Sequence, residues 1–368
     1  MSKVGVISTG QTKFSKEDAD VEQLLYESAN YCIQSASNLD CNDIDGVIVS
    51  TNDNSKYLGA ILSENLDIQP RIAHSIEHLC SSGSNAIISA YSYISSGLAD
   101  VILVSGVDST TNPGQVLEWD ISRGEYQHPI YWATMMTRAH KRKFKTSEEE
   151  LAIVSAKNHK HAMDNPDAYS NEPKTISEIM NSKQLTADLR ILDCSRSCSG
   201  SSTILLASEK YAKQISDSPV WITGIGQKTI SASFVKNQLD ELESTRRAAK
   251  SAYDMSKISS EQIDVLEIHD AFSVCELLAI TELGISSGEE SGEFVRNLFN
   301  TENRMVNPRG GLIGAGHPLG ATGISQTIEI TNQLQGNAGK RQITDAEIGL
   351  VHNMSAAGTS SSVMVMQT

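Results

Sequence analysis

The sequence predicts an α/β protein made of two similar halves, with a polar and largely helical insertion hanging from the first. Three observations carry that prediction. Short apolar runs bounded by turn residues alternate with segments of helical period, the pattern of a parallel sheet covered on both faces. The passage Asn42-Asp43-Ile44-Asp45-Gly46-Val47-Ile48-Val49-Ser50 is echoed by Glu261-Gln262-Ile263-Asp264-Val265-Leu266-Glu267-Ile268-His269, each placing Ile-Asp just before a buried strand. The stretch from Gly5 to Gly10 is echoed, in the same order, by Trp221 to Gly226. Between about Thr111 and Asp188 the strand signal lapses and charged and polar residues take over.

Taken in order, Val4 to Ser8 reads as a strand, Val21 to Ala36 as an amphipathic helix and Gly46 to Ser50 as a second buried strand. A periodic segment, Ala86 to Ile94, follows a small-residue turn around Cys80. The apolar run Val101 to Val104, bounded by Asp100 and Ser105-Gly106, reads as a buried parallel strand. In the insertion, Trp132 to Phe144 and Glu148 to Met163 read as helices. The second starts on Ser147, with Glu150 three residues on to complete a capping box. Ser201 to Tyr211 reads as an apolar helix and Val220 to Gly224 as a strand. A helical run begins at Ile324, and Val351 to Thr359 reads as a small-residue turn before the last strand.

Composition narrows the function classes. The 368 residues suffice for two domains. A net charge of −15 argues against nucleic acid or an anionic membrane as the main partner, because both reward excess Lys and Arg. No apolar run approaches the ~20 residues needed to span a bilayer. No basic segment followed by an apolar one precedes Val4, so a cytoplasmic protein is expected. The cysteines, Cys32, Cys41, Cys80, Cys194, Cys198 and Cys275, contain no CxxC pair. Cys194 and Cys198 have no neighbouring His or Cys to complete a zinc set, so reduced thiols and no metal are expected.

The chemistry centres on Ser75-Ile76-Glu77-His78-Leu79-Cys80-Ser81-Ser82-Gly83-Ser84-Asn85. Cys80 sits where a loop enters a helix, near the positive end of its dipole, which is expected to lower the thiol from its ordinary value of about 8.5. A buried structural cysteine is the alternative. In the second half, His269 ends a strand, where ligand-handling groups of α/β sheets gather. His317 stands in the glycine-rich run Gly310 to Gly323, where Gly316 and Gly320 suggest tight turns or backbone close to a ligand. Cysteine plus histidine is the minimum for an activated thiol nucleophile. The basic run from His140 to Lys145 reads either as a solvated helix face or as a site for a phosphorylated ligand, with Lys141 and Arg142 the residues to watch.

These residues resemble those of a known superfamily. His78-Leu79-Cys80-Ser81-Ser82-Gly83, His269-Asp270-Ala271-Phe272, Gly316-His317-Pro318-Leu319-Gly320-Ala321-Thr322-Gly323 and His352-Asn353-Met354-Ser355 are similar, in order, to the four active-site blocks of the thiolases. The likeness is nearest to the archaeal acetoacetyl-CoA and sterol-carrier-type branches, which Asn158-His159-Lys160 and Asn165-Pro166 also resemble. It implies a duplicated α/β fold whose parallel or mixed sheets sandwich helices. The first half would take 1–110 and 194–218, an inserted coenzyme A-binding loop domain 111–193, and the second half 219–368.

The same resemblance implies acetyl-CoA acetyltransferase activity with coenzyme A thioesters as substrates and no bound cofactor. Cys80 would be acylated, His317 would take its proton, and His269 would hold the thioester oxygen directly or through a water. The backbone N–H groups of Cys80 and Ala357 would form a second oxyanion hole. Ser355 stands where many thiolases have a second, proton-shuttling cysteine; Ala271 stands where sterol-carrier-type enzymes often have one, and Cys275 lies four residues further on. His317, His269, Ser355 with a bound water, or His352 would then carry the second proton. A homodimer or homotetramer is implied, and association with an OB-fold protein and hydroxymethylglutaryl-CoA synthase is an expected partnership. The alternatives are a ketoacyl or hydroxymethylglutaryl-CoA synthase of the same fold, and a thiolase-like chain acting with an OB-fold partner as an aldolase or scaffold.

Overall fold

The structure is a computed structural model that describes residues 3–110, 124–233 and 236–368. The opening of the expected insertion, 111–123, lies outside the described residues. The first half runs β1 (Val4–Gln11), α1 (Val21–Ser35), β2 (Gly46–Thr51), α2 (Leu58–Asn65), β3 (Ile72–Ile76), α3 (Ser82–Ser95) and β4 (Val101–Asp108). Then come α4 (Pro129–Phe144), α5 (Glu148–Ala162), α6 (Ile176–Met180) and a small hairpin of β5 (Gln184–Thr186) and β6 (Leu189–Arg190). The strand β7 (Gly200–Ser208) and helix α7 (Glu209–Ile215) return to the first half. The second half runs β8 (Val220–Thr229), α8 (Glu243–Ser256), β9 (Val265–Glu267), α9 (Ser273–Glu282), α10 (Ser291–Asn300), α11 (Gly311–Ala315), α12 (Leu319–Leu334), β10 (Ile348–Ser355) and β11 (Ser360–Gln367).

Nine strands form one sheet in the order β3-β2-β4-β7-β1-β8-β11-β10-β9. The order carries the duplication. In the first half β2 pairs with β4 in parallel, and β4–β7 and β7–β1 are antiparallel; in the second, β9–β10 is parallel, and β10–β11 and β11–β8 are antiparallel. Among the described strands of this sheet, β3 at the far edge is the one without a counterpart. The halves join through β1 and β8 at two residue pairs, Gly5 with Trp221 and Val6 with Val220. The expected parallel sheet is therefore mixed, as the resemblance allowed.

The echoed Ile-Asp pairs do the same work twice. The Asp45 N–H donates to the Val101 carbonyl (2.8 Å), and its carboxylate accepts the N–H groups of Asp100 (2.6 Å) and Val101 (3.3 Å). The Asp264 N–H donates to the Ile348 carbonyl (3.0 Å), and its carboxylate accepts those of Glu347 and Ile348, both at 2.9 Å. Each aspartate thus clamps the start of the next sheet strand, β4 or β10, beside the strand it precedes, satisfying donors that a strand entry leaves open.

Packing gives five layers. On the outer face of the first half-sheet, Leu25, Leu58 and Ile215 of α1, α2 and α7 cover Val47, Leu103 and Leu205. Between the half-sheets lie α3 and α12, whose Ile87 and Ile324 share one core with Val104 of the first half and Met364 of the second. On the last face α8, α9 and the inserted α4 and α5 cover Leu266, Leu350 and Val363. Every residue of α12 except Asn332 is buried, as a helix between two sheets requires.

Two readings of the sequence are corrected. Ser201 to Tyr211 is not one helix: Gly200–Ser208 is β7, wholly buried and paired on both sides, and only Glu209–Ile215 is helical. An uninterrupted run of small and apolar residues cannot be told from a buried helix by its period. Here Ser201 and Thr203 meet Ser28 of α1 at 2.7 and 2.8 Å, while Ile204 and Leu206 turn to the central core. The second correction concerns Val351 to Ser355, which belong to β10; the turn is confined to 356–358.

Candidate active site

The duplication explains why residues 237 positions apart meet. Helices α3 and α12 hold equivalent places, each leading into the strand, β4 or β10, that pairs in parallel on one side and antiparallel on the other. Cys80 stands two residues before α3 and His317 two residues before α12. The helices cross closely at their first turns, where small residues are obligatory. A Cβ on Gly83 would lie 2.9 Å from the Gly320 carbonyl oxygen, and one on Gly323 2.5 Å from the Ser84 nitrogen. His269 arrives from the end of β9. One donor atom from each of Cys80, His269 and His317 lies within 4.8 Å of the others. The two imidazoles meet edge to face with centroids 5.1 Å apart.

The hydrogen bonds give the histidines opposite tautomers. The Thr322 hydroxyl donates to the Pro318 carbonyl (2.8 Å), so its oxygen accepts the Nδ1–H of His317 (2.7 Å). His317 therefore offers a bare Nε2, the form of a general base. For His269, the Gln326 Nε2 donates to the His352 carbonyl (3.4 Å), which turns the Gln326 Oε1 to accept from the Asn353 Nδ2 (2.7 Å). The same Asn353 Nδ2 faces the His269 Nδ1 at 3.3 Å, leaving the ring proton on Nε2 as a donor. One ring accepts and the other donates.

Electrostatics correct the expected low thiol pKa. Burial pushes Cys80 up to about 12, and the carboxylates of Asp108 and Glu77 add to the effect. Burial likewise pushes His317 down to about 3, with the Arg309 guanidinium contributing, and holds His269 well below its ordinary value, aided by His317, His352 and Arg309. The helix dipole loses to burial and to Asp108, which sits at the end of β4 and accepts the N–H of Asn52 (3.1 Å) and of Gly320. The resting site is thus a neutral thiol beside neutral imidazoles, not a thiolate–imidazolium pair.

A cavity of about 280 Å³ opens over these residues. Leu79, Trp132, Phe272 and Met354 give it apolar walls, and Ser195, Ser197 and His128 add polar ones. Trp132 packs edge-on against Phe272 (centroids 5.0 Å apart), so the inserted α4 forms one wall. Backbone strain collects here, with positive φ at Leu79 (50°), Ala356 (44°) and Ala357 (64°). Such conformations cost roughly 1–3 kcal/mol each and persist only where surroundings impose them. The two strained turns are tied together by Ser355, whose hydroxyl donates to the His78 carbonyl (2.5 Å), meets the Ser81 Oγ at 2.6 Å and accepts the Ser81 N–H at 3.2 Å. Ser355 lines the cavity, but its hydroxyl is already engaged.

The other expected residues are placed as follows. His352 is buried behind His269, its Nε2 on the Thr245 hydroxyl (3.0 Å) and its Nδ1 at the His269 N–H (3.5 Å). Cys275 is buried in α9. Gly316 takes a φ of 103° and packs on Cys198 and Tyr169, while Gly320 packs its backbone on Ser50, Thr51 and Val107. Both glycines therefore answer protein packing, and neither lines the cavity. Lys141 is turned away: its ammonium pairs with Asp188 (3.1 Å) and Glu148 (3.6 Å), and Arg142 is exposed on the same helix. Two cations of the basic run are thus held by protein carboxylates, Lys141 within the insertion and Lys143 by Asp240 of the second half at 2.8 Å.

Several neighbours of the site were given no role by the sequence reading. The segment 194–199 carries Ser195 and Ser197 into the cavity and fixes both histidine loops: Ser195 N–H donates to the Ala271 carbonyl (2.9 Å), and His317 N–H to that of Arg196 (2.8 Å). Asn158, on the buried face of α5, donates to Asp270 (2.7 Å) and Glu276 (2.8 Å), and Lys157 pairs with Glu276 (3.1 Å). Asp270 in turn accepts the Leu312 N–H at 2.6 Å, which anchors the residue next to His269. Arg309, fully buried and paired with Glu267 (2.9 Å), supplies the charge felt by both active histidines.

The likeness of the chain to known proteins runs over nearly its whole length. Residues 4–188 match the family described as thiolase, N-terminal domain, and residues 226–368 the one described as thiolase C-terminal domain-like. The acetyl-CoA acetyltransferase of Methanothermobacter thermautotrophicus is 31% identical, covering 99% of each chain. Sterol carrier protein 2 of Bos taurus is 28% identical over 97% of this chain and 71% of its own length. Among solved structures, the Ltp2-ChsH2(DUF35) aldolase gives a TM-score of 0.88 at 20% identity, covering 100% of this chain and 98% of the other. The acetyl-CoA acetyltransferase of Syntrophomonas wolfei gives 0.78 at 16%, covering 100% and 99%.

Proposed function

The chain belongs to the thiolase family, and from that premise we propose that it is an acetyl-CoA C-acetyltransferase, joining two acetyl-CoA to acetoacetyl-CoA and coenzyme A or running the reverse thiolysis. The observation that carries the reading is the meeting of Cys80, His269 and His317, with one imidazole set to accept a proton and the other to donate.

A single base serves both half-reactions. As the Cys80 sulfur attacks the thioester carbonyl, His317 Nε2 takes the thiol proton and passes it to the departing coenzyme A sulfur. The products are acetyl-Cys80, free coenzyme A and a neutral His317. When the second acetyl-CoA binds, His317 removes its α-proton. The enolate oxygen is held by the His269 Nε2–H, the carbanion attacks acetyl-Cys80, and His317 returns its proton to the leaving Cys80 sulfur. Oxyanion donors fixed in a water-poor cavity act where charge develops, and the strained turns at Cys80 and Ala357 are the proposed backbone donors for the tetrahedral intermediate. Because the resting thiol is neutral, ionisation is coupled to substrate arrival. Among the expected second proton carriers, His352 lies behind His269 and Ser355 is engaged, which favours His317.

A second reading has the chain acting with a small OB-fold partner as an aldolase or scaffold, with loss of the second cysteine as its support. A retained Cys80 poised beside a base has no use in a scaffold. The reading is tested by intact-mass analysis after mixing the protein with acetoacetyl-CoA and then adding coenzyme A. An acetyl adduct on Cys80 that coenzyme A discharges is the expected result. No adduct from either acetoacetyl-CoA or acetyl-CoA would overturn the acetyl-transfer reading. Dimer or tetramer formation, a partner protein and a cytoplasmic location remain part of the same proposal; among the described residues no helix is long and apolar enough to cross a membrane.

A further inference from the structure

The three groups that serve acyl transfer are also one thiol and two imidazoles around a common point. We propose that Cys80, His269 and His317 form a three-ligand site for a borderline divalent metal ion, Zn2+ foremost, with the fourth coordination position open to the cavity.

The distances permit it. A tetrahedral Zn2+ with Zn–S of about 2.3 Å and Zn–N of about 2.0–2.1 Å holds its donors roughly 3.3–3.6 Å apart. The donor atoms here lie within 4.8 Å of one another, so closure asks about 1 Å of side-chain rotation. The surroundings of both imidazoles suit a metal ligand, whose second ring nitrogen is normally held by a protein acceptor. His317 already has that arrangement, with Nδ1–H on Thr322 and Nε2 facing the cluster. For His269 the ring proton must pass to Nδ1, which then needs an acceptor. Asn353 has one in reserve: its Oδ1 is buried without a hydrogen-bond partner. A half-turn of that amide brings Oδ1 to the ring, and Gln326 must turn with it, giving up its 3.4 Å bond to the His352 carbonyl, so metal binding has to reverse the amide arrangement of the metal-free site.

Charge acts both ways at the site: the Asp108 and Glu77 carboxylates on the Cys80 side favour a cation, and the Arg309 guanidinium on the histidine side opposes it. The binding step exchanges one proton for the metal: Cys80–SH plus Zn2+ gives Cys80–S–Zn+ plus H+, with no change of oxidation state. Binding rests on the donor geometry alone. Its consequence, reversible inhibition with the nucleophile occupied, rests on the acyl-transfer reading.

Titration of the full chain, freed of coenzyme A and chelators, with Co2+ in thiol-free buffer tests this. Expected are a thiolate-to-cobalt charge-transfer band saturating at one equivalent, four-coordinate d–d absorption, one proton released per metal, and displacement by Zn2+. The band should persist in Cys41→Ala, vanish in both Cys80→Ala and Cys80→Ser, and need at least tenfold more Co2+ in His269→Ala. No thiolate band, or one that survives loss of Cys80, overturns the site. Thiolysis that falls in step with the band is expected; a Cys80-dependent band without loss of thiolysis would leave the metal site standing and count against Cys80 as the acylated residue.

Discussion

Thr322→Val isolates the contact that would make His317 the base of the proposed acyl transfer. The substitution keeps shape and deletes one hydroxyl, so the His317 Nδ1–H loses its 2.7 Å acceptor inside a buried site. A buried donor left without a partner costs about 1–3 kcal/mol. The ring can escape that cost only by moving its proton to Nε2 or by rotating, and either removes the lone pair aimed at Cys80. If the whole cost falls on the reactive arrangement, acylation slows roughly 5- to 150-fold, at 1.4 kcal/mol per decade. Binding of acetyl-CoA should change little, because Thr322 is buried and does not line the cavity. Rapid-quench mass spectrometry of acetyl-Cys80 measures the step directly, and Thr322→Ser should restore most of the rate by returning an oxygen. Acylation within twofold of the wild type in Thr322→Val, or a serine variant as slow as the valine one, would refute the tautomer argument.

Other perturbations separate the remaining roles. Cys80→Ala should yield no acyl-enzyme, and turnover retained in it would remove Cys80 as nucleophile. Ser355→Ala should lower the melting temperature, by the loss of three contacts that bind the strained turns, yet leave exchange of the acetyl-CoA methyl protons with deuterated water within about tenfold; His317→Ala should abolish that exchange, and the opposite pattern would make Ser355 the second acid/base. Asp45→Ala and Asp264→Ala should destabilise by similar amounts, on the order of 1–3 kcal/mol each, since each frees two backbone donors; urea titrations giving widely different values would deny the equivalence of the clamps. Burial holds His140 and His159 at about 4 and His317 and His352 at about 3. Below the unfolded value of 6.5 the unfolded chain binds more protons, so each should remove about 1.4 kcal/mol of stability per pH unit as pH falls towards its folded value. Carboxyls raised by burial, Glu267 to about 8 and Asp167, Asp193, Asp270 and Glu282 above their ordinary values, act in the opposite sense but are outnumbered by the eight histidines that burial depresses. Calorimetry between pH 7.5 and 5 should show a falling melting temperature, and a flat or rising one would contradict the buried neutral histidines.

How much of this was legible in the sequence depends on the range of the interaction. Small-residue turns and strand ends are local, so Cys80, His269 and His317 could be picked out, and the repeated Ile-Asp pairs pointed to two halves. Partners distant in sequence were hidden. Asp108, which helps raise the Cys80 thiol, is 28 residues away, and only the folded sheet puts them side by side. The helix N-terminus, visible locally, therefore suggested the wrong direction for the thiol. Lys141 looked available because Asp188, 47 residues on, could not be seen to pair with it. The strand β7 was misread for a different reason: burial on both faces erases the alternation from which a strand is recognised.

The pseudo-symmetry also sets a constraint on the chemistry. A duplicated fold brings two equivalent helix starts to one place, and each start tends to stabilise negative charge. The same arrangement suits a thiolate at Cys80 and opposes an imidazolium at His317, so symmetry alone would give a charged nucleophile beside a poor proton acceptor. Asp108 alters that balance. By accepting the Gly320 N–H at the start of α12 while lying close enough to Cys80 to raise its thiol, it spends the favourable end of one helix on a fixed carboxylate. Burial, with the Arg309 guanidinium adding to it, keeps His317 neutral. On the acyl-transfer proposal, the result is a nucleophile that stays protonated, and so less reactive toward adventitious electrophiles, until a thioester carbonyl reaches the oxyanion donors and makes transfer of the proton to His317 favourable.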